Sequence, residues 1–341
     1  MRAHRPLAPY LFIAPALAVF GFAVLMPFVF TGAYSLTDWD GYSDAVFVGL
    51  DNYIEAFSDT VFQQSFVNVV VYILVTLVVE VLLGLVLAGI AISVKRGSLW
   101  FRVAIFTPVM LPMVVVAVLW SFVYNPDFGL VNGALRAFGL EDFTRVWLGD
   151  EQTALLAICL VSGWVYAGFY MTIFYAALRQ VPTEVVEAAR LDGARESTIF
   201  WRVRVPIIRT SIEVAILLCV TGGFQSFDLF YVLTNGGPYH ATEIPTTYLV
   251  QSVFHTGQVG YGSAMAVVLT AVVVAIGLTA TALRRRGDRD DRDERSARKT
   301  ARNAARNAAR TATRNATRNA TPQPAPTQNT ASVSTEKELV R

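Results

Sequence analysis

The sequence predicts an all-α integral membrane protein with six transmembrane helices and a charged cytoplasmic helix between spans four and five. Three observations predict it. Of 341 residues, 54% are hydrophobic and only 16% are charged, and the charges are bunched. No Asp, Glu, Lys or Arg occurs between Arg5 and Asp38, Arg102 and Asp127, Glu151 and Arg179, or Glu243 and Arg284. A helix crosses the hydrocarbon core of a bilayer with about 20 such residues. Lys and Arg are unevenly shared among the connecting segments, which sets the orientation.

Residues 1–9 form a short cytoplasmic N-terminus and span one covers 10–36. Its start, MRAHR, is similar to the charged region of a secretory signal, but the apolar stretch exceeds the usual ~7–15 residues and no convincing A-x-A cleavage site follows that stretch. It is read as an uncleaved span. The next loop carries only acids: Asp38, Asp40, Asp44, Asp51, Glu55 and Asp59. Span two (66–94) holds one acid at its middle, Glu80. Span three (101–124) contains Pro108 and Pro112, which bend it. Span four (153–178) carries Cys159, Trp164, Tyr166 and Tyr170; Cys159 and Cys219 are read as small packing residues. Spans five (210–233) and six (259–283) complete a domain of residues 10–283. The segments containing Arg2 and Arg5, Lys95 to Arg102, six arginines from Arg179 to Arg209, and Arg284 to Arg286 all fall on one side. The other side holds only Arg136 and Arg145. The basic side is cytoplasmic, so both termini are cytoplasmic.

Residues 284–341 are a different material. They hold 15 of the 28 Lys and Arg, with arginine at every fourth position from Arg298 to Arg318. Two readings stand. One is a disordered, solvated tail with too few apolar residues for a core; the other is an Ala-rich helix lying on anionic lipid headgroups.

The charged insert, residues 179–209, is soluble in character. Pro182 suits a first helical turn, where a missing N–H costs nothing. Glu184 sits at the positive end of the dipole. Asp192-Gly193 ends this helix, with Gly193 supplying positive φ, and a second helical stretch runs from Ala194 to about Val205 before Pro206. The residues alone leave two roles open, an amphipathic connector on headgroups or a partner's docking element.

The spacing Glu187-Ala188-Ala189, Gly193, Val203, Val205-Pro206 resembles the EAA loop of permease subunits of ATP-binding cassette importers. The family usually has Ile and Leu where Val203 and Val205 stand, and a small residue where Arg195 stands. LFIAPAL, FVGLDNY, NPDFGLVN, TNGGP and GYGSA, in that order, are similar to the carbohydrate-type, binding-protein-dependent branch, so the likeness covers roughly residues 9–283. It implies that Glu187, Ala188, Ala189, Asp192, Gly193 and Pro206 dock on a separate ATPase. It also implies a second, different permease subunit completing a heterodimeric pore, two cytoplasmic ATP-binding subunits and an extracytoplasmic solute-binding protein meeting loops 37–65 and 125–152. The setting it implies is a bacterial or archaeal cell membrane.

The rest of the sequence agrees with a non-enzymatic role. A phosphate-binding P-loop needs G-x-x-x-x-G-K followed by Ser or Thr; only Lys299 precedes Thr, with Arg298 where glycine is required. His4, His240 and His255 have no metal-ligand spacing, and no HExxH or GxSxG occurs. Neither a cofactor nor nucleic-acid binding is expected. Polar groups inside a membrane cost about 2.5–3.5 kcal/mol each for Asp at mid-span. The segment Gly222 to Asp228 is therefore expected to face the bundle interior, and the resemblance implies that it lines the solute path, with Phe224, Gln225, Ser226 and Asp228 as candidate contacts. Sugar-like solutes, bound by aromatic faces and hydrogen bonds, suit these side chains. Bonding to neighbouring helices is the competing role for each. A self-sufficient secondary transporter is the rival reading, kept alive by Glu80 and Asp228.

Overall fold

Where backbone N–H and C=O groups cannot reach water they must bond internally, and a helix does this within one segment. The computed structural model accordingly answers every predicted apolar run with helix. It describes residues 8–94 and 96–282, with Thr300 and Asn303. The expectations for residues 1–7 and, those two positions apart, for the tail lie outside the described residues. The chain divides into units 1–280 and 281–341; the architecture below is that of the first.

α1 (Tyr10–Tyr34) is long, apolar and has no buried residue in its most apolar stretch. A small antiparallel ribbon follows, β1 (Thr37–Asp38) on β2 (Val46–Phe47), and then a short helix, α2 (Asp51–Ser58). α3 (Thr60–Ser93) starts six residues before the expected 66. The reason is Asp59, whose side chain accepts from the N–H groups of Val61 and Phe62 and so caps a polar first turn. At 34 residues α3 is about 51 Å long, more than the ~30 Å hydrocarbon core.

Predicted span three is two helices, α4 (Ser98–Met110) and α5 (Met113–Val123), bent by 98°. Pro112 causes the break: it forces Leu111 before it into extended backbone (φ −80°, ψ 141°) and cannot donate to the helix it would continue. α6 (Leu130–Ala137) lies in the next loop. α7 (Ala154–Leu178) matches its expected bounds and is the central helix, packed against α3, α4 and α10.

Predicted span five is also broken. α10 (Arg209–Phe224) has 16 residues, about 24 Å, and α11 (Asp228–Leu233) resumes after a non-helical Gln225–Phe227. The charged insert forms α8 (Thr183–Leu191) and α9 (Glu196–Ile199), then a π-helical turn at Phe200–Arg204 and a last turn at Val205–Ile207. The second stretch thus begins two residues after the expected Ala194. α12 (Pro245–Phe254) and α13 (Val259–Ala282) end the described fold. Among the described residues, four helices are long and apolar enough to cross a membrane, or five if the bent α4–α5 pair is one span.

The core has two main layers along α7. One joins Tyr72 and Ile73 of α3, Val116 and Ala117 of α5, Ile158 and Val161 of α7, and Phe224, Phe230 and Ile244. The other joins Leu85 and Ala88 of α3, Met171, Phe174 and Leu178 of α7, and Ala215 and Cys219 of α10. Cys159 and Cys219 are both buried free thiols, one in each of these layers.

Candidate functional site

The break in α10–α11 borders a cavity of about 370 Å³, within the ~300–1,000 Å³ range of small-molecule sites. Non-helical backbone at membrane depth is tolerated where it lines a cavity or is buried in protein. Here the carbonyl of Ser226 is satisfied from outside the helix, accepting from Thr246 Oγ1 at 2.5 Å. Gln225, Ser226 and Asp228 all line the cavity. Phe224 does not: it is buried in the core layer beside Tyr72 and Ile158. One step along a helix turns a side chain by about 100°, enough to take Phe224 off the face its neighbour uses.

The cavity also gathers groups from two other helices. Tyr72, Thr76 and Glu80 come from α3, and Ser162, Tyr166 and Tyr170 from α7. Glu80 sits on a π-helical turn, Leu77–Leu82, and accepts from Ser162 Oγ at 2.6 Å. Tyr72 and Ser162 hydroxyls lie 2.8 Å apart, and Cys219 Sγ is 3.8 Å from Glu80 Oε2. These partners are 82 and 139 residues from Glu80, a separation that composition and spacing do not reveal. A polar residue on α7 at the depth of Glu80, Ser162, was the available signal. Trp164 does not reach the cavity and instead meets Trp120 edge to face.

The second candidate region is the charged insert. Gly193 has φ +79°, as expected of the turn, and the amides of Gly193 and Ala194 bond the carbonyls of Arg190 and Ala189 to close α8. Glu187, Ala188, Asp192, Gly193 and Pro206 are exposed and Ala189 is half-buried. Val186 alone on α8 is buried. Leu191 is 89% exposed, an unusual setting for leucine beside a charged turn.

Two contacts fix this region that the sequence did not disclose. Arg190 Nε donates to Glu196 Oε1 at 2.7 Å, clamping α8 to α9 and holding the Glu196 carboxyl below its ordinary range. Both side chains are exposed, so the pair adds little stability. Phe200 packs so closely on Gly89 that a Cβ there would lie 2.7 Å from its ring. With Val205 and Ile208 it joins the core layer that holds Ala88 and Leu178. The insert is thereby seated on the ends of α3 and α7. Among the described residues no group of His, Cys, Asp and Glu could hold a metal ion.

Residues 80–290 match the family described as "Binding-protein-dependent transport system inner membrane component". The chain is 39% identical over 278 residues to the probable ABC transporter permease protein YurN of Bacillus subtilis, covering 81% of this chain and 95% of that one. It is 35% identical to the diacetylchitobiose uptake system permease protein NgcF of Streptomyces coelicolor, over 77% and 78% of the two chains. A chain of the solved bacterial ABC transporter involved in the import of the acidic polysaccharide alginate superposes with a TM-score of 0.73 at 20% identity, covering 81% of this chain and 94% of that one. That likeness is one of fold.

Proposed function

From the premise that this chain belongs to the family of binding-protein-dependent transport system inner membrane components, we propose that it forms half of a six-plus-six-helix pore for a sugar or sugar-like solute. It is a multi-pass permease subunit of an ATP-binding cassette importer, not an enzyme, and it works with a solute-binding protein. The observation that carries the rest is the exposed α8, which offers Glu187 and Ala188 to a partner while Val186 and Phe200 seat the insert on the bundle.

On this reading the bent pair α4–α5 and the broken pair α10–α11 are spans three and five, which makes six, with both termini cytoplasmic. A separate ATPase subunit receives α8. Small Ala188 and Ala189 let its backbone approach, Glu187 gives one directed charge and Leu191 an apolar foothold. Closure of the ATPase pair moves α8, and the Phe200 contact passes that motion to the cytoplasmic end of α3. A second, different permease subunit and two ATP-binding subunits complete the importer. The sugar assignment is supported by the relative named for diacetylchitobiose and by hydrogen-bonding and aromatic side chains, Gln225 and Tyr166 among them, lining one cavity.

The test is mild purification of the tagged chain from its native membrane, with its companions identified by mass spectrometry for wild type and Glu187→Lys. A second permease chain and a P-loop ATPase are expected with wild type, and the ATPase alone is expected to be lost from the variant. An ATPase retained undiminished by Glu187→Lys would remove the docking role from α8.

A further inference from the structure

Glu80 is 4% exposed at the middle of an apolar helix, where an ionisable group is costly to place and is retained for a role. Its surroundings determine what it can do. Ser162 has a single O–H, and the structure directs it at Glu80 Oε1. The 2.8 Å contact between Ser162 and Tyr72 must then have the tyrosine as donor. A relay runs from Tyr72 through Ser162 to Oε1 and fixes the carboxyl group's orientation.

The other oxygen is treated differently. Among the described residues Oε2 meets only the thiol of Cys219, at 3.8 Å, and a thiol is a weak donor. A carboxylate can accept about four hydrogen bonds, so Oε2 keeps acceptor capacity. Glu80 lines the same cavity as Gln225, Ser226 and Asp228, and among the described residues no Lys or Arg lines it. The π-helical turn beneath Glu80 is a feature that often accompanies functional sites.

We propose that Glu80 is a solute-binding residue, whose Oε2 accepts a hydroxyl or amide hydrogen from an uncharged, hydroxyl-rich solute while Tyr72 and Ser162 hold it in place. The inference rests on the permease reading and sharpens its solute class. Two carboxyl groups, Glu80 and Asp228, face one small cavity in which, among the described residues, there is no cation, so donor-rich neutral solutes find acceptors there and anionic ones find no counter-charge.

The experiment is equilibrium binding of tritiated maltose, cellobiose and diacetylchitobiose to the purified importer without its solute-binding protein. Maltobionate and cellobionate serve as anionic counterparts. Wild type is expected to bind at least one neutral sugar and neither aldonate. Glu80→Gln should weaken the neutral sugar about tenfold and narrow its advantage over the aldonate, and Ser162→Ala should weaken it by a smaller factor, both with unchanged subunit composition and thermal stability. Binding by Glu80→Gln equal to wild type would overturn the proposal. Loss of assembly in both variants would also overturn it, showing Glu80 to be an interhelical tie. If wild type binds none of the three sugars, the sugar reading itself fails and takes the inference with it.

Discussion

Asp59 shows how much one side chain can organise. It caps α3 through Val61 N at 2.8 Å and Phe62 N at 3.3 Å, and it accepts from Tyr248 of α12 at 2.5 Å and Tyr261 of α13 at 2.8 Å. Partial burial disfavours its charge, but the tyrosine hydroxyls and the two amides outweigh that and hold its pKa below the ordinary value. A carboxyl with a depressed folded pKa adds stability that is full above its unfolded pKa of ~3.9 and is lost as pH falls through the folded one. Asp59→Ala should therefore cost about 0.5–2 kcal/mol at pH 7 from the cap alone. The gap between wild-type and variant melting temperatures in detergent should hold from pH 7 to about 5 and narrow below about 4. A gap that widened on acidification would contradict the assignment.

At the scale of elements, the contact between α3 and α7 is made by small residues. Gly84, Ala88 and Ala91 are all buried along one face of α3, the small-residue spacing that lets helix backbones approach inside a membrane. A Cβ on Gly84 would lie 2.7 Å from Tyr170 Cβ and 2.9 Å from Met171 N, and a backbone atom cannot swing aside. Gly84→Val should destabilise the bundle by about 1–3 kcal/mol or more. Gly133→Ala is the control: it sits in exposed α6 with nothing within 4 Å of the new methyl, and should be neutral or slightly stabilising. Helical circular dichroism on heating would separate them. Apolar run length located α1, α7 and α13 to within a few residues because the bilayer imposes that length. It gave neither the sharpness of the bend in the third span nor the break in the fifth, because a run of apolar residues says nothing of where the axis turns. Pro112 was legible as a bend, but not the 98° between α4, which packs on α7, and α5, which packs on α11. Gly222 to Asp228 was legible as a polar segment, yet the helix break inside it depends on Thr246, twenty residues on, taking the Ser226 carbonyl. In the candidate site Gln225, Ser226 and Asp228 were found by residue type, whereas Phe224 faces the core and the partners of Glu80 lie on other helices.

For the whole molecule, the question is which ends of the bundle share a side of the membrane. α7 is the axis and mostly buried, whereas α1 buries nothing in its apolar stretch and α13 little. Such a perimeter needs lipid or another apolar chain around it. On the proposed reading, in which the Lys- and Arg-rich segments are cytoplasmic, the charged insert lies inside and the loop around Tyr239 outside. Between them lies only the pair α10 and α11, of which the first, at about 24 Å, falls short of the ~30 Å core unless the broken segment and α11 complete the crossing. Leu191 and Tyr239, both 89% exposed, are natural reporters, and the two native cysteines are buried. Single Leu191→Cys and Tyr239→Cys variants treated with a membrane-impermeant maleimide should therefore behave oppositely. Tyr239→Cys should label in intact spheroplasts, and Leu191→Cys only after the membrane is opened. Labelling of both from outside would mean that α10 and α11 together form a re-entrant hairpin and not a span. Labelling of Leu191→Cys alone would invert the molecule and place α8 where no cytoplasmic ATPase could reach it.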